Sequence, residues 1–320
     1  MLRKLTPTEE GQPVEFKLPD LTATDWQAYL ILGTLVLLFA LEAPAARREQ
    51  RPRLYRQSYF ANLGTWLIND TLLSLLSVSS LWWLAERFAD RGLLGGVADP
   101  LWKAVLSFVL LDLVLYFWHR ANHAFGWLWM FHKVHHSDRV MNVTTAFRLH
   151  FMEVLLTLLV KALFIMVAGV DAALVVANET IMTLFVMFHH SNLSLPGLRR
   201  LAGVVIVPHL HRVHHSEKRE EHDRNFGLVF SWWDRLFGTL AQAEPATIGL
   251  RDVESKGLWA LVKFGLTWDT VPAPPVLPST PCLRAMIAEA AYYRAEQRGF
   301  TPGHEIPDWI EAEREILRRF

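Results

Sequence analysis

The sequence predicts an all-α protein. It is expected to be a polytopic bundle of membrane helices with a histidine-rich dimetal site at its cytoplasmic face and a small helical appendage at the C-terminus. Three observations predict this. Hydrophobic residues make up 52% of the chain. Apolar runs recur at about the length that spans a bilayer. Thirteen of the fourteen histidines lie between residues 119 and 222.

The first membrane span is expected at residues 26–42 and their flanks, after a polar tail at residues 1–25 without a signal-peptide pattern. Five arginines follow the apolar run directly. Because positively charged loops stay in the cytoplasm, this span should run from outside to inside, in what we expect to be a bacterial inner membrane. The arginines are Arg47, Arg48, Arg51, Arg53 and Arg56.

Two further spans are expected at residues 59–85 and at residues 101–118, and the latter delivers His119 and His123 to the cytoplasmic side. Residues 151–188 then predict a helical hairpin that enters and leaves from the same face. Every histidine group thereby reaches one face of the membrane. An ionisable residue inside such a hairpin should face protein or a wet cavity, and a packing contact is the slightly favoured role for Glu179.

The domain organisation follows from these segments. The membrane domain should cover residues 26–245, an interfacial stretch and proline-rich linker residues 246–281, and a charged helical pair residues 282–320. The single Cys282 excludes an internal disulfide framework. A formal net charge of zero argues against a nucleic-acid partner.

The histidines are spaced as helix geometry requires for a shared site. Residues three and four apart lie on one face of a helix, so each group converges on one point. The spaced groups are His119 and His123; His132, His135 and His136; and His211, His214 and His215, with His189 and His190 between them. Histidine is the commonest metal ligand, and this many imidazoles exceed what one ion binds, so two ions are predicted.

The identity of the metal stays open at this point, because imidazole suits iron, copper and zinc alike. Neutral ligands leave a pair of ions with high positive charge, which favours iron and the binding of dioxygen. No His-Glu-x-x-His motif is present, which argues against a zincin protease. A histidine-rich metal store or a structural zinc site without catalysis remains an alternative.

Two carboxylates are candidates for orienting the ligands. Asp112 lies two helical turns before His119 and shares its face, and a carboxylate that accepts a ring proton fixes the tautomer of a ligand histidine. Asp112 is too far along the helix to reach His119, so another histidine is its expected partner. A helix-packing role is the alternative. Asp234 and Asn225 are further candidates, for the same role or for a turn.

The spaced histidines resemble the three histidine boxes of the fatty acid hydroxylase / sterol desaturase superfamily. The stretch Asn225-Phe-Gly227 with Trp233-Asp234-Arg-Leu-Phe-Gly238-Thr resembles the closing motif of its bacterial members. His190, before Ser-Asn, matches an extra histidine of the family better than His189 does. The metal ligands that the resemblance implies are His119, His123, His132, His135, His136, His190, His211, His214 and His215.

His150 lies where many members of the family have His-Pro-x-Glu, but Phe151 replaces the proline, so its expected role is a supporting one outside the ligand set. His209 and His222 have no counterpart and are expected to be peripheral. Residues 288–314 resemble a short bacterial helical domain of unknown function and assign no chemistry.

The resemblance implies a membrane-bound, non-haem di-iron enzyme that uses dioxygen and two electrons. Such enzymes hydroxylate or desaturate sterols, fatty acyl chains or alkylglycerols. A lipid hydroxylase is therefore the first expectation, a desaturase with the same site the second, and a non-catalytic membrane metal-binding protein the third. Zinc is an alternative occupant. No haem domain is recognised in the sequence, so a separate electron-transfer protein is expected as a partner.

Overall fold

The computed structural model describes residues 23–49, 51–75, 81–89, 91–195, 197–268 and 280–317. It forms two compact units, Met1–Leu266 and Thr267–Phe320. The domain boundaries at residues 25, 245 and 281 stay predictions. The predicted all-α class is confirmed, since extended pairing in the described residues is limited to two isolated β-bridges.

The described part of the chain is built from α-helices and one 3₁₀ helix. The 3₁₀ helix, Val143–Phe147, lies between α5 and α6. The α-helices are α1 (Ala23–Arg48), α2 (Pro52–Leu75), α3 (Leu81–Phe88), α4 (Pro100–Ala124), α5 (Gly126–His136), α6 (Phe151–Ala168), α7 (Ala172–His190), α8 (Leu198–Leu201), α9 (Pro208–His214), α10 (Arg219–His222), α11 (Trp232–Leu236), α12 (Leu258–Phe264), α13 (Thr280–Gln297) and α14 (Glu305–Leu317).

Four of these helices, α1, α4, α6 and α7, are long and apolar enough to cross a membrane. Their outer surfaces leave large aliphatic side chains in contact with the surroundings: Val36, Leu159 and Leu163 are each more than half exposed. A soluble protein would bury such side chains, whereas lipid accepts them. The chain is therefore an integral membrane protein.

The predicted second span at residues 59–85 stays a prediction, because part of it lies outside the described residues. The structure has two helices there, α2 and α3, with residues 76–80 outside the described part, and neither is among the four apolar helices. A polar stripe lies on α2, spaced as one helix face. Asn62 donates to Asp138, and Thr65 and Asn69 donate to the carbonyls of Phe147 and Leu149.

This polar face of α2 fixes the position of the segment that follows α5, the helix with His132, His135 and His136. Asp138 also accepts from Ser58 and Thr145, at 2.7 and 2.9 Å. Arg148 is fully buried and donates to Asn62, to Ser137 and to the carbonyl of Val134. Since each buried donor has its acceptor, the network fixes the position of α5 relative to α2.

The helical hairpin α6–α7 turns at Gly169, which has a φ of 70°. Gly92 approaches this turn so closely that a Cβ on either glycine would lie within 2.5 Å of the other's backbone. Leu93 and Leu94 donate backbone hydrogen bonds to Val167 and Ala168 beside it. The close approach requires glycine at both positions and holds the tip of the hairpin, while its two other ends carry His150 and His190.

The C-terminal unit is a pair of helices, α13 and α14. Ile287, Ala312 and Ile316 form its small buried core. Arg294 of α13 makes ion pairs with Glu311 and Glu315 of α14, at 2.7 and 2.9 Å. The predicted helical appendage is confirmed.

Candidate metal centre

The first two histidine boxes lie on consecutive helices. His119 and His123 occupy the last turns of α4, and Phe125 adopts an extended conformation that redirects the chain into α5. Along α5, His132 and His136 are one turn apart and share a face of the helix, whereas His135 lies on an adjacent part of its surface. The break at Phe125 turns the two boxes toward each other, so that the ring centroids of His119 and His132 are 5.0 Å apart.

The third box lies on the short helix α9, which begins with Pro208 at its first position. Proline is pre-organised for that position because it lacks the backbone N–H that would remain unpaired there. His211 and His214 lie on α9, His215 follows it, and His190 ends α7 beside them. The ring centroids of His190 and His211 are 4.3 Å apart.

The nine imidazoles predicted as ligands fall into two groups, and in each group one ligand atom per residue lies within 4.8 Å of all the others. The five-histidine group is His119, His123, His132, His136 and His214. The four-histidine group is His135, His190, His211 and His215. The adjacent residues His135 and His136 of α5 thus belong to different groups. The two groups can hold two ions.

Ring nitrogens of neighbouring histidines in the four-histidine group are close enough to bind one ion together. The Nε2 atom of His190 is 3.0 Å from that of His135 and 2.9 Å from that of His211, and the Nε2 atoms of His211 and His215 are 3.2 Å apart. Two nitrogens at bond lengths of about 2.1 Å and a right angle are about 3 Å apart. The spacing therefore fits adjacent ligands of one ion.

The five-histidine group is oriented by oxygen atoms outside it. His132 Nδ1 lies 2.6 Å from Glu153 Oε1, and His123 Nδ1 lies 3.1 Å from Asp223 Oδ1. Two more Nδ1 atoms lie against backbone carbonyls: His119 against Phe226 and His214 against Arg224, at 2.9 and 2.7 Å. Each Nδ1 therefore carries the proton, and each Nε2 lone pair faces the group.

Three of these Nε2 atoms, those of His119, His123 and His214, are buried and have no hydrogen-bond partner among the described residues. A buried nitrogen lone pair without a partner is costly, and a metal ion is the partner that its orientation suits. Nitrogen donors of this kind fit iron and also zinc. The residues present therefore fit a metal centre.

Burial keeps the rings neutral, as a metal ligand must be. Desolvation holds the pKa of His135, His136 and His214 well below the usual range for imidazole, and neighbouring imidazoles lower it further. The same holds for the pKa of His211 and His215. Protonation does not compete with metal binding at these positions near neutral pH.

An apolar chamber of about 290 Å³ opens directly beside the two groups. His119, His132, His135, His190 and His211 form one side of it. Aliphatic and aromatic side chains of the spans form the rest, among them Leu115, Trp118, Phe147, Met182, Val186 and Met187. A chamber of this composition takes an apolar ligand and presents it to the histidines.

Two predicted supporting residues have other roles. Asp112 contacts no histidine. It accepts from the backbone N–H groups of Val229 and Phe230 and from the indole of Trp233, at 2.9 to 3.1 Å. The prediction of a histidine partner is wrong, because seven residues are about 10 Å of helix rise and the loop at 229–233 covers the carboxylate instead.

His150 is also not a partner of the ligands. Its Nδ1 accepts from the backbone N–H of Met152 and caps the start of α6, and its ring stacks on Phe131 with centroids 5.3 Å apart. These contacts use the side chain to fix the start of α6, and a supporting role of His150 at the metal centre stays a prediction.

Asp234 acts on the histidines indirectly, through Phe226. It accepts from the backbone N–H groups of Phe226 and Gly227 and from Thr239, at 2.7 to 2.9 Å. Phe226 in turn accepts from His119 through its carbonyl. Asn225, with a φ of 54°, donates to the carbonyls of Leu210 in α9 and of Ala241, which fits the turn role predicted for it.

Sequence reasoning missed three residues of the site. Glu153 and Asp223 orient His132 and His123, and the His-x-x-Glu spacing that ends at Glu153 was the available signal for the first of them. His222 is buried, not peripheral: it stacks on Trp129 with centroids 5.3 Å apart. Together with His123 and Asp223 it forms a third, smaller cluster.

The remaining histidines and Glu179 lie outside the two groups. His189 is buried with its ring centroid 4.0 Å from that of His211. His209 is half-buried on α9. Glu179 accepts from Lys161 across the hairpin, at 2.6 Å, so the packing contact predicted for it is confirmed.

The fold and the site together define a membrane-embedded helical protein with a histidine-rich metal-binding centre. Residues 104–239, which contain all nine histidines of the two groups, match the fatty acid hydroxylase family. The part of the chain that contains the histidine boxes therefore matches the family that these boxes predicted. Residues 283–318 match a family of proteins of unknown function.

Several characterised proteins are similar to this chain. Alkylglycerol monooxygenase from Caenorhabditis elegans is 27% identical over 177 residues, which are 53% of this chain and 34% of that protein. The ornithine lipid hydroxylase OlsE from Rhizobium tropici is 27% identical over 161 residues, 49% of this chain and 48% of its own.

A cholesterol 25-hydroxylase-like protein from Danio rerio is 29% identical over 177 residues, 52% of this chain and 65% of its own. The chain thus matches from about a third to about two thirds of the length of these relatives. No solved structure matches the chain.

Proposed function

We propose that the protein is a membrane-bound non-haem di-iron oxygenase that hydroxylates a lipid with dioxygen and electrons from an electron-transfer protein. The observation that carries the proposal is the pair of histidine groups at the wall of an apolar chamber. Similarity to alkylglycerol monooxygenase and to an ornithine lipid hydroxylase supports the reaction class. The two irons would supply the activation of dioxygen that an unactivated carbon–hydrogen bond requires.

The protein's own residues would hold the metal ions and the lipid. Five imidazoles would bind one ion and four the other, with Glu153 and Asp223 fixing the ring orientation in the larger group. The chamber would bind the hydrocarbon part of the substrate and exclude water from the reacting carbon. Its side chains Met182, Val186 and Met187 offer no acid or base, so they would position the lipid only.

We propose that the metal centre faces the cytoplasm of a bacterial inner membrane. Glu42 near the end of α1 accepts from the backbone N–H of Asn192, at 2.9 Å, which brings the end of α1 beside the end of α7. The arginine-rich stretch after α1 therefore lies at the histidine end of the bundle. The positive-inside rule then supports a cytoplasmic site.

The test is product analysis with purified protein in detergent, loaded with iron and reduced before oxygen is admitted. A hydroxylase gives a lipid alcohol that carries oxygen from isotope-labelled dioxygen, whereas a desaturase gives an alkene without the label. The His136→Ala variant should give neither product, and His209→Ala, changed outside both groups, should give the wild-type amount. A failure of iron-loaded, reduced wild type to consume dioxygen with any membrane lipid would contradict the proposal and favour a metal-binding role.

A further inference from the structure

One charged side chain in the wall of the chamber has no role in the metal centre. Apart from the histidines, the chamber is lined in the described part of the chain by two ionisable residues, Glu153 and Lys161. Glu153 is bound to His132. Lys161 lies eight residues further along α6, within the membrane-spanning segment, and its side chain is only 17% exposed. An ionisable group at that depth is costly and indicates a function.

The Lys161 ammonium and its counter-ion are placed asymmetrically about the chamber. Lys161 Nζ lies 2.6 Å from Glu179 Oε2 on the facing helix α7. Glu179 does not line the chamber but a neighbouring void of about 10 Å³, which Lys161 also lines. Lys161 therefore lines the chamber and its counter-ion does not.

The charge balance of this pair decides which ligand it suits. An ammonium has three N–H donors, and one of them is used by Glu179. Because Glu179 already neutralises the charge, a further anion would leave a net negative charge in an apolar chamber, which is costly. A neutral oxygen accepts a charge-assisted hydrogen bond without adding charge.

We propose that Lys161 forms a subsite for a neutral oxygen of the lipid, namely a hydroxyl, ether or carbonyl oxygen, and that Glu179 disfavours free fatty acids there. The inference rests on the proposed function, since it assumes that the chamber holds lipid. It narrows the substrate class to lipids that are alcohols, ethers, esters or amides. The ion pair then determines which lipids bind, and it also forms a contact between α6 and α7.

The test compares the binding of three ligands with the same chain length to the iron-loaded full-length protein in lipid nanodiscs. Radiolabelled hexadecanol, hexadecanoic acid and hexadecane are measured by scintillation proximity, with protein-free nanodiscs as background. Wild type should prefer hexadecanol to both others. The K161M variant should bind hexadecanol about tenfold more weakly, with hexadecane unchanged, because a hydrogen bond to a charged group is lost.

The E179Q variant tests the charge argument. Without the carboxylate, the ammonium lacks a counter-ion, so hexadecanoic acid should now bind more tightly than hexadecanol. Binding of the acid that stays as weak as in wild type would overturn the role given to Glu179.

Two further variants separate a subsite from a packing contact. The double variant K161E/E179K keeps an ion pair between the helices but moves the ammonium away from the chamber, so hexadecanol binding should fall as in K161M. The K161R variant keeps the charge and the donors, and should bind hexadecanol within a few-fold of wild type. Wild-type binding in K161M or in the double variant would overturn the proposal, as would loss in K161R with an unchanged unfolding temperature.

The outcome does not depend on turnover, so the two proposals fail separately. Lipid hydroxylation that proceeds with an unchanged substrate preference in K161M and E179Q would remove the subsite and leave the oxygenase. Binding that depends on Lys161 in a protein that never consumes dioxygen would leave the subsite and remove the oxygenase.

Discussion

The two histidine groups differ in how their rings are held. In the five-histidine group, four of the five Nδ1 atoms lie against an oxygen acceptor, two of them carboxylates. In the four-histidine group only His190 has such an acceptor, the carbonyl of Val186 at 2.7 Å. The Nδ1 atoms of His135, His211 and His215 are buried without a partner among the described residues.

One half of the site is therefore pre-organised by the protein, and the other half depends more on its ion. Acceptors behind a ligand histidine fix its tautomer and raise its basicity. The ion in the five-histidine group should therefore be bound more tightly. Three substitutions test this difference, and they follow in order of decreasing effect on metal affinity.

The largest effect is expected for Glu153→Gln. The amide cannot accept the ring proton of His132 as a carboxylate does, so iron affinity at the five-histidine group should fall by about 10- to 100-fold. Titration of the iron-loaded protein with a chelator measures this. The exposed Glu244, changed to Gln, is the matched control and should leave both ions unaffected. Equal loss from both groups would show that the groups are not independent.

A smaller effect is expected for Asp223→Asn. Asp223 lies 3.1 Å from His123 Nδ1, is about one third exposed and also pairs with Arg219. Contact with water and the ion pair with Arg219 weaken the interaction of Asp223 with His123. Iron affinity should therefore fall only a few-fold in the same titration. A loss as large as that for Glu153→Gln would contradict the ranking by burial and distance.

The smallest effect on metal affinity is expected for Asp112→Asn. This buried carboxylate holds the loop at 229–233 and no histidine, so its loss should lower the free energy of unfolding by about 1–3 kcal/mol while iron affinity stays within a few-fold of wild type. Thermal unfolding of the iron-loaded protein, beside the chelator titration, checks both statements. Loss of iron at unchanged stability would return Asp112 to the ligand-orienting role.

The ligand groups were predictable from the sequence because their spacing is local. His119 and His123, or His132 and His136, face one way through the period of a helix alone. Their count also predicted two ions. The supporting acceptors were not predictable in this way, since the oxygens of Asp223 and Phe226 reach the first box across about a hundred residues of sequence.

The error over the partner of Asp112 has the same origin. Asp112 shares the face of His119, but a loop from a distant part of the chain covers it. The second span stays a prediction, and its first half carries a stripe of Asn62, Thr65 and Asn69 that is buried against the loop after α5.

Iron stoichiometry in single-ligand variants shows whether the two groups bind two ions separately. Purified wild type should contain about two irons per chain by elemental analysis. His136→Ala in the five-histidine group and His215→Ala in the four-histidine group should each retain about one, and His209→Ala about two. Loss of all metal in both ligand variants, or one ion in wild type that is zinc and does not exchange for iron, would contradict the account.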